Sequence, residues 1–384
     1  MTSTVFMCVP ALIPFFQSQW SLTSTQAGGI QGSFTTGFAV SLLCASTLSD
    51  KFDVAIIFRA SNYSVAVATL AASLLVDSYV SALIGFLFVG LAYGGTYIPS
   101  VLIVSKATTE LNRGAAVGWL MAGMSAGYIL SIILTLVCLS VFDSIRSVLV
   151  VTGGCACIGC VAAYYGCKGF STDVNSKLLS RPSLSRIFGD RESRLLTVGY
   201  VGHCWELYGF WTWAPAYLLY VTSEKLGNGY SISITGIAIG LVLHASGAFS
   251  SVVSGVASDR YGRVRLLRLA GAMGVLCSMG FGWAEIFPLW ALYLFAAVYA
   301  VSVVSDSSVL SAKLAEKAPV NQVGVVFGIR SILGIGAAAI SPIIFGVVFD
   351  LLPGEIAWGI AFCTTGLGGV VATVAAYSLS GDSR

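Results

Sequence analysis

The chain has 384 residues, 57% of them hydrophobic and 10% charged, with a mean hydropathy of +0.88. Soluble domains carry about 25% charged residues, so this composition excludes a water-soluble fold and points to a polytopic membrane protein. A net charge of +3 is too small to indicate nucleic-acid binding. No G-x-x-x-x-G-K-[ST] loop is present, which argues against ATP hydrolysis by this chain.

In chain order, the first apolar run covers 4–18. It starts almost at Met1 without a basic leader, so it reads as a first span and not as a cleaved signal. Runs at 27–49, 54–76, 79–104, 115–141 and 146–167 complete an N-terminal set of six, residues 1–167. Cys155, Cys157 and Cys160 cluster in the sixth run with no histidine near in sequence. They read as small packing residues, and neither a metal site nor a cofactor is expected. Residues 168–194 are polar and carry Lys177, Arg181, Arg186 and Arg191, the pattern of a linker. Six further runs, near 195–220, 231–257, 264–284, 288–312, 323–349 and 356–379, form the C-terminal half, residues 195–384. The expected fold is therefore all-α, with twelve transmembrane helices in two six-helix halves related by a pseudo-two-fold axis.

Charge orients this arrangement. Loops on the linker's side hold Lys51, Lys106, Arg113, Arg260, Arg263, Arg265, Lys313 and Lys317, whereas the opposite loops hold Arg146 and Lys225. The positive-inside rule then makes the linker and both termini cytoplasmic, in the cell membrane.

The halves also share landmarks. Asp50 and Asp259 lie 209 positions apart, and Gly114–Gly118 (GAAVG) recurs 210 positions later as Gly324–Gly328 (GVVFG). Two landmarks at almost one offset indicate a duplicated unit. The loop after span eight reads GVASDRYGR, with Gly255, Ser258, Asp259, Arg260, Gly262 and Arg263; its counterpart after span two keeps Asp50 and Lys51. With twelve spans and a basic linker, these loops resemble the major facilitator superfamily over the whole chain. The resemblance implies gating loops at Asp50, Lys51, Gly255, Asp259, Arg260, Gly262 and Arg263, and a central cavity faced by spans one, four, seven and ten.

Charges inside spans are costly, so each is a functional candidate. Glu206 lies roughly 16 Å from the cytoplasmic start of span seven by helix rise, and His203 shares its face one turn away. This carboxylate–imidazole pair is the candidate proton site. Asp306 in span ten and Arg330 in span eleven lie at equal depth, roughly 10–12 Å from the cytoplasmic boundary, which predicts an ion pair between them. His244 sits mid-span in span eight. The resemblance places Tyr93, Tyr97, His203, Glu206 and Trp213 on the cavity wall with Asp306 below them. One basic and two acidic groups among aromatic rings suit a small polar or anionic metabolite.

The run HCWELYGFW and the span-ten DSSVLS resemble a bacterial group placed with nitrate/nitrite-type permeases. That group carries arginines in spans two and eight, where this chain has Gln31 and His244, which argues against nitrate itself. Drug antiporters carry a glycine–proline pair in span five, and Trp119–Tyr128 contains no proline. The leading expectation is a monomeric, lipid-embedded secondary transporter working by alternating access with protons as coupling ion. The alternatives are a drug or metabolite efflux antiporter and a non-transporting sensor. An enzyme lacks a catalytic cluster beyond His203 and Glu206.

Overall fold

The computed structural model describes residues 1–49, 51–108, 110–171, 190–317 and 323–380, and these form twelve helices with no strand among the described residues. They are α1 (Cys8–Trp20), α2 (Ser24–Ser49), α3 (Val54–Leu75), α4 (Tyr79–Ala107), α5 (Glu110–Phe142) and α6 (Ile145–Gly166). After the linker come α7 (Arg191–Leu226), α8 (Ile232–Tyr261), α9 (Arg263–Phe281), α10 (Leu289–Lys317), α11 (Val323–Leu351) and α12 (Gly354–Ser378). Each coincides with one apolar run of the sequence. Asp50 and most of the 168–194 linker lie outside the described residues.

Nine helices among the described residues are long and apolar enough to cross a membrane by length and composition. The other three differ for visible reasons. Helix α1 has 13 residues, α2 begins with the polar stretch STQAGGIQGS, and α7 spans 36 residues with charged ends. Exposed side chains such as Tyr63, Leu74, Phe249, Leu276 and Val374 are apolar, as hydrocarbon solvation of the outer faces requires.

Local chemistry sets the helix starts. Asp53 caps α3 by accepting the Ala55 amide at 2.9 Å, and Ser78 and Ser81 form a reciprocal capping box at α4. Asp190 accepts both the Ser193 amide (2.8 Å) and hydroxyl (2.7 Å) at the start of α7. The Ser193 hydroxyl, then its amide, hold the Asp190 carboxyl below the usual carboxylate range. A depressed acid stabilises the fold above its unfolded pKa of about 4 and loses that contribution as pH falls through the lower folded value.

Two helices are interrupted. A 3₁₀ turn at Gly94–Thr96 breaks α4, and a π-helical turn at Leu241–Ala245 widens α8 around His244. By compactness the chain divides into two units. One contains Met1–Ser21, Ser33–Leu179 and Ser231–Gly240; the other contains Leu22–Gly32, Ser180–Tyr230 and Leu241–Arg384.

Within the first unit, α2 and α4 approach closely enough that only glycine fits. A Cβ on Gly90 would lie 2.0 Å from the Phe34 carbonyl oxygen, and one on Gly37 would lie 2.2 Å from that of Leu87. Within the second unit, α7 meets α12 at Gly202 and Gly368, and the start of α2 meets α11 at Gly28 and Pro342. Such small-residue contacts replace the hydrophobic force that lipid does not supply. The α11 end also caps α2, because the Asp350 carboxylate accepts the Ser24 and Thr25 amides at 2.8 Å each.

Gly90→Ala should therefore destabilise the protein by about 1–3 kcal/mol through overpacking. Gly154→Ala, with nothing within 4 Å of the added carbon, should be neutral. Melting temperatures in detergent check both, and equal effects would contradict the packing account.

Candidate substrate and proton site

The polar core of the second unit is built on α7. His203 is buried, and its Nδ1 lies 2.6 Å from the Asp306 Oδ1 of α10. This contact corrects one sequence expectation. Asp306 pairs with His203, and no ion pair joins Asp306 to Arg330 among the described residues. Equal depth on neighbouring helices was insufficient, because pairing depends on the direction in which each side chain leaves its helix.

Arg330 is buried at 5% exposure. Its guanidinium carbon lies 3.9 Å from the Tyr200 ring centroid and 4.5 Å from that of Phe327. Its Nη1 donates to Ser311 Oγ at 3.1 Å, and its Nε has no hydrogen-bond partner among the described residues. The cation is held by π faces and one hydroxyl, a softer environment than a carboxylate.

Glu206 lies one turn beyond His203 and turns into the helix bundle. A Cβ on Gly274 of α9 would sit 2.9 Å from both its oxygens, and one on Gly369 of α12 would sit 2.6 Å from Oε2. The two glycines thus make room for the carboxyl group. The Tyr299 hydroxyl stands beside it and also bonds Thr365 Oγ1 at 3.0 Å. Glu206 Oε1 has no hydrogen-bond partner among the described residues.

The aromatic residues expected on a cavity wall are placed in packed cores. Trp213 is fully buried; its Nε1 donates to the Pro342 carbonyl at 3.1 Å and its ring stacks on Phe345 at 4.7 Å. Tyr93 sits among Phe6, Phe34 and Phe38, and its hydroxyl donates to Ser3 Oγ at 3.3 Å. Tyr97, just past the 3₁₀ turn, is partly exposed. His244 is buried on the π turn with its ring 5.4 Å from Trp211. Tyr200, Phe327 and Ser311 surround Arg330 and were not singled out from sequence. The i, i+3 spacing of Tyr200 to His203 and of Phe327 to Arg330 was the available signal.

At the loop after α8, Gly262 adopts φ +93°, which glycine tolerates and which lets α9 begin at Arg263. Arg263 bridges the Asp259 carboxylate (3.3 Å) and Glu316 at the end of α10 (2.7 Å). Gly255 has open space around it, and Arg260 stacks on Tyr261 at 5.4 Å. In the corresponding first-half loop, Lys51 is exposed.

The sequence matches the Major Facilitator Superfamily over residues 1–333. The chain belongs to that superfamily. It is therefore an integral multi-pass membrane protein and a secondary transporter, not an enzyme. Its fold is similar to a bacterial homolog of the human lysosomal transporter Spinster, inward-facing and unoccupied (TM-score 0.73, 15% identity, covering 98% of this chain and 93% of that one). It is also similar to the nucleoside transporter NupG (0.75, 13%, covering 99% and 98%) and to a D-xylose-proton symporter (0.74, 13%, covering 98% and 96%). No curated protein matches the chain in sequence.

If His203 and Asp306 form one buried unit, removing either partner should cost about 3–5 kcal/mol, because the other is left unpaired. The double variant His203→Gln/Asp306→Asn should cost less than the sum of the singles, with a coupling of about 0.5–3 kcal/mol. Additive losses in urea or thermal unfolding would contradict the pairing.

Proposed function

We propose that this superfamily member moves a small polar or anionic metabolite by alternating access and couples that movement to protons. The observation that carries the reading is the buried His203–Asp306 contact at 2.6 Å. An imidazole against a carboxylate inside a membrane protein is a pair able to take up and release one proton. Glu206, one turn along the same helix, is the second acid of this proton site. The similarity to a proton symporter supports the same direction of reasoning.

The remaining assignments rest on sequence and geometry together. The two six-helix halves, 1–167 and 195–384, joined by the 168–194 linker, form the moving parts. The charge asymmetry of the loops supports cytoplasmic termini in the cell membrane. The Asp259–Arg263–Glu316 bridge is exposed and so weak at rest. That weakness suits a loop contact that forms and breaks during gating, with Asp50 and Lys51 as its first-half counterpart. Within the second unit His244 and Arg330 are the substrate-contact candidates, and the protein acts as a monomer surrounded by lipid.

Proteoliposomes under an imposed pH gradient test this reading, using as cargo a metabolite that raises the melting temperature of the purified protein. Asp306→Asn and Glu206→Gln should abolish accumulation against a gradient while cargo exchange continues, since each neutral side chain imitates the protonated acid. Wild-type accumulation that ignores the pH gradient would refute proton coupling.

A further inference from the structure

A crevice of about 10 Å³, the size of a single water, lies inside the second unit between α7, α9, α10 and α12. Gly199, Leu267, Leu310 and Ala372 form part of its wall, which carries one ionisable side chain, Asp306. Small residues account for the gap. At Gly202, α7 and α12 touch, and a Cβ there would lie 2.4 Å from the Gly368 carbonyl oxygen. One turn earlier the helices have parted. A Cβ on Gly199 would meet nothing nearer than the Leu310 side chain at 3.5 Å and Ala375 at 3.6 Å, which is ordinary van der Waals contact. The space between α7 and α12 thus widens toward the end of the unit where α7 begins and α12 stops.

That end is polar and clamped. Arg268 of α9 donates to the Ala376 and Leu379 carbonyls at 3.2 Å each, and these two residues also belong to the crevice wall. Lys317 at the end of α10 pairs with Glu192 at the start of α7. Asp306 lies deeper, roughly 16 Å before Lys317 by helix rise. Lys313, two turns along α10 from Asp306, is buried with an interaction of its own and is not part of the wall. The crevice joins a charged rim to a carboxylate that is 6% exposed.

A carboxylate presents two oxygens with about four lone-pair sites. Among the described residues, His203 Nδ1 is the one group in close polar contact with Asp306, at 2.6 Å, and no well-aligned donor satisfies Oδ1. Leaving the other lone pairs desolvated costs more than ordering a water does. A wholly apolar gap of this kind stays dry, and the carboxylate in its wall reverses that balance. We propose that water occupies this crevice, hydrogen-bonds Asp306 and relays it to solvent at the linker end of the second unit. Every wall residue belongs to that unit, so the route is complete without the first. The route supplies the His203–Asp306 pair with a path for proton exchange that needs no cargo, a part of the inference that rests on the proton-coupled reading above.

X-ray radiolytic footprinting of the purified full chain in nanodiscs tests the water, because hydroxyl radicals formed from a bound water oxidise the side chains touching it. Leu267 and Leu310 should be oxidised at least about fivefold faster than Leu292 and Leu314, buried leucines of α10 outside the wall. Ala372→Leu, which fills the crevice, should lower Leu310 oxidation about fivefold. Gly199→Ala narrows the same space at ordinary contact distances and should lower it less, and it keeps the test available should Ala372→Leu not fold. NMR polarisation transfer from water to the His203 ring N–H tests the relay, and both variants should weaken it in the same order. Oxidation of Leu267 and Leu310 no faster than that of Leu292 would show a dry crevice and overturn the inference, leaving the proton reading to its own pH-gradient test. Fast oxidation with unchanged transfer to His203 in both variants would overturn the relay.

Discussion

The His203–Asp306 contact is the constraint from which the rest of the second unit follows. A carboxylate in the interior of a membrane protein needs a partner, and the imidazole of α7 is the one within reach. Because Asp306 is committed to His203, Arg330 has to find stabilisation elsewhere. It does so on Tyr200, Phe327 and Ser311. One pairing choice therefore sets the electrostatics of three helices.

Helix α7 can carry this chemistry because its neighbours come unusually close. Gly202 against Gly368, and Gly209 against Ser341 and Thr365, bring α11 and α12 onto its surface. Gly274 and Gly369 leave space for Glu206. Glycine supplies two things here, close backbone approach and a pocket for a carboxyl group. Above the ionisable layer, Trp213, Tyr217, Phe281, Phe345, Trp358 and Phe362 lock together edge to face and by stacking. That aromatic block packs around the same helix whose earlier turns hold His203 and Glu206.

The fold was largely legible in the sequence. Twelve apolar runs became twelve helices, because a segment crossing hydrocarbon must satisfy its own backbone and so announces itself by length and composition. The breaks in α4 and α8 were less legible: Gly94–Gly95 hinted at the first, while nothing in LVLHA marks a π turn. The ionisable residues were found by their cost in lipid, but their partners were not. His203 was matched to Glu206 by helix spacing, and Asp306 to Arg330 by depth. The structure instead joins the first of one pair to the first of the other, since depth and periodicity do not encode the angle at which helices face each other. Trp213 and Tyr93 show the same limit, because an aromatic residue on a deep helix face looks alike whether it lines a cavity or packs a core.

The central claim is that the His203–Asp306 pair exchanges one proton with the outside during the transport cycle. Nitrogen NMR of protein labelled with ¹⁵N-histidine in nanodiscs tests it most directly, with the His203→Gln variant assigning the signal. The account predicts that the His203 resonance is found both as imidazolium and as neutral imidazole when the solution pH is varied, and that Asp306→Asn changes the balance between the two forms. A His203 signal fixed in one protonation state at every pH, in wild type and variant alike, would contradict it.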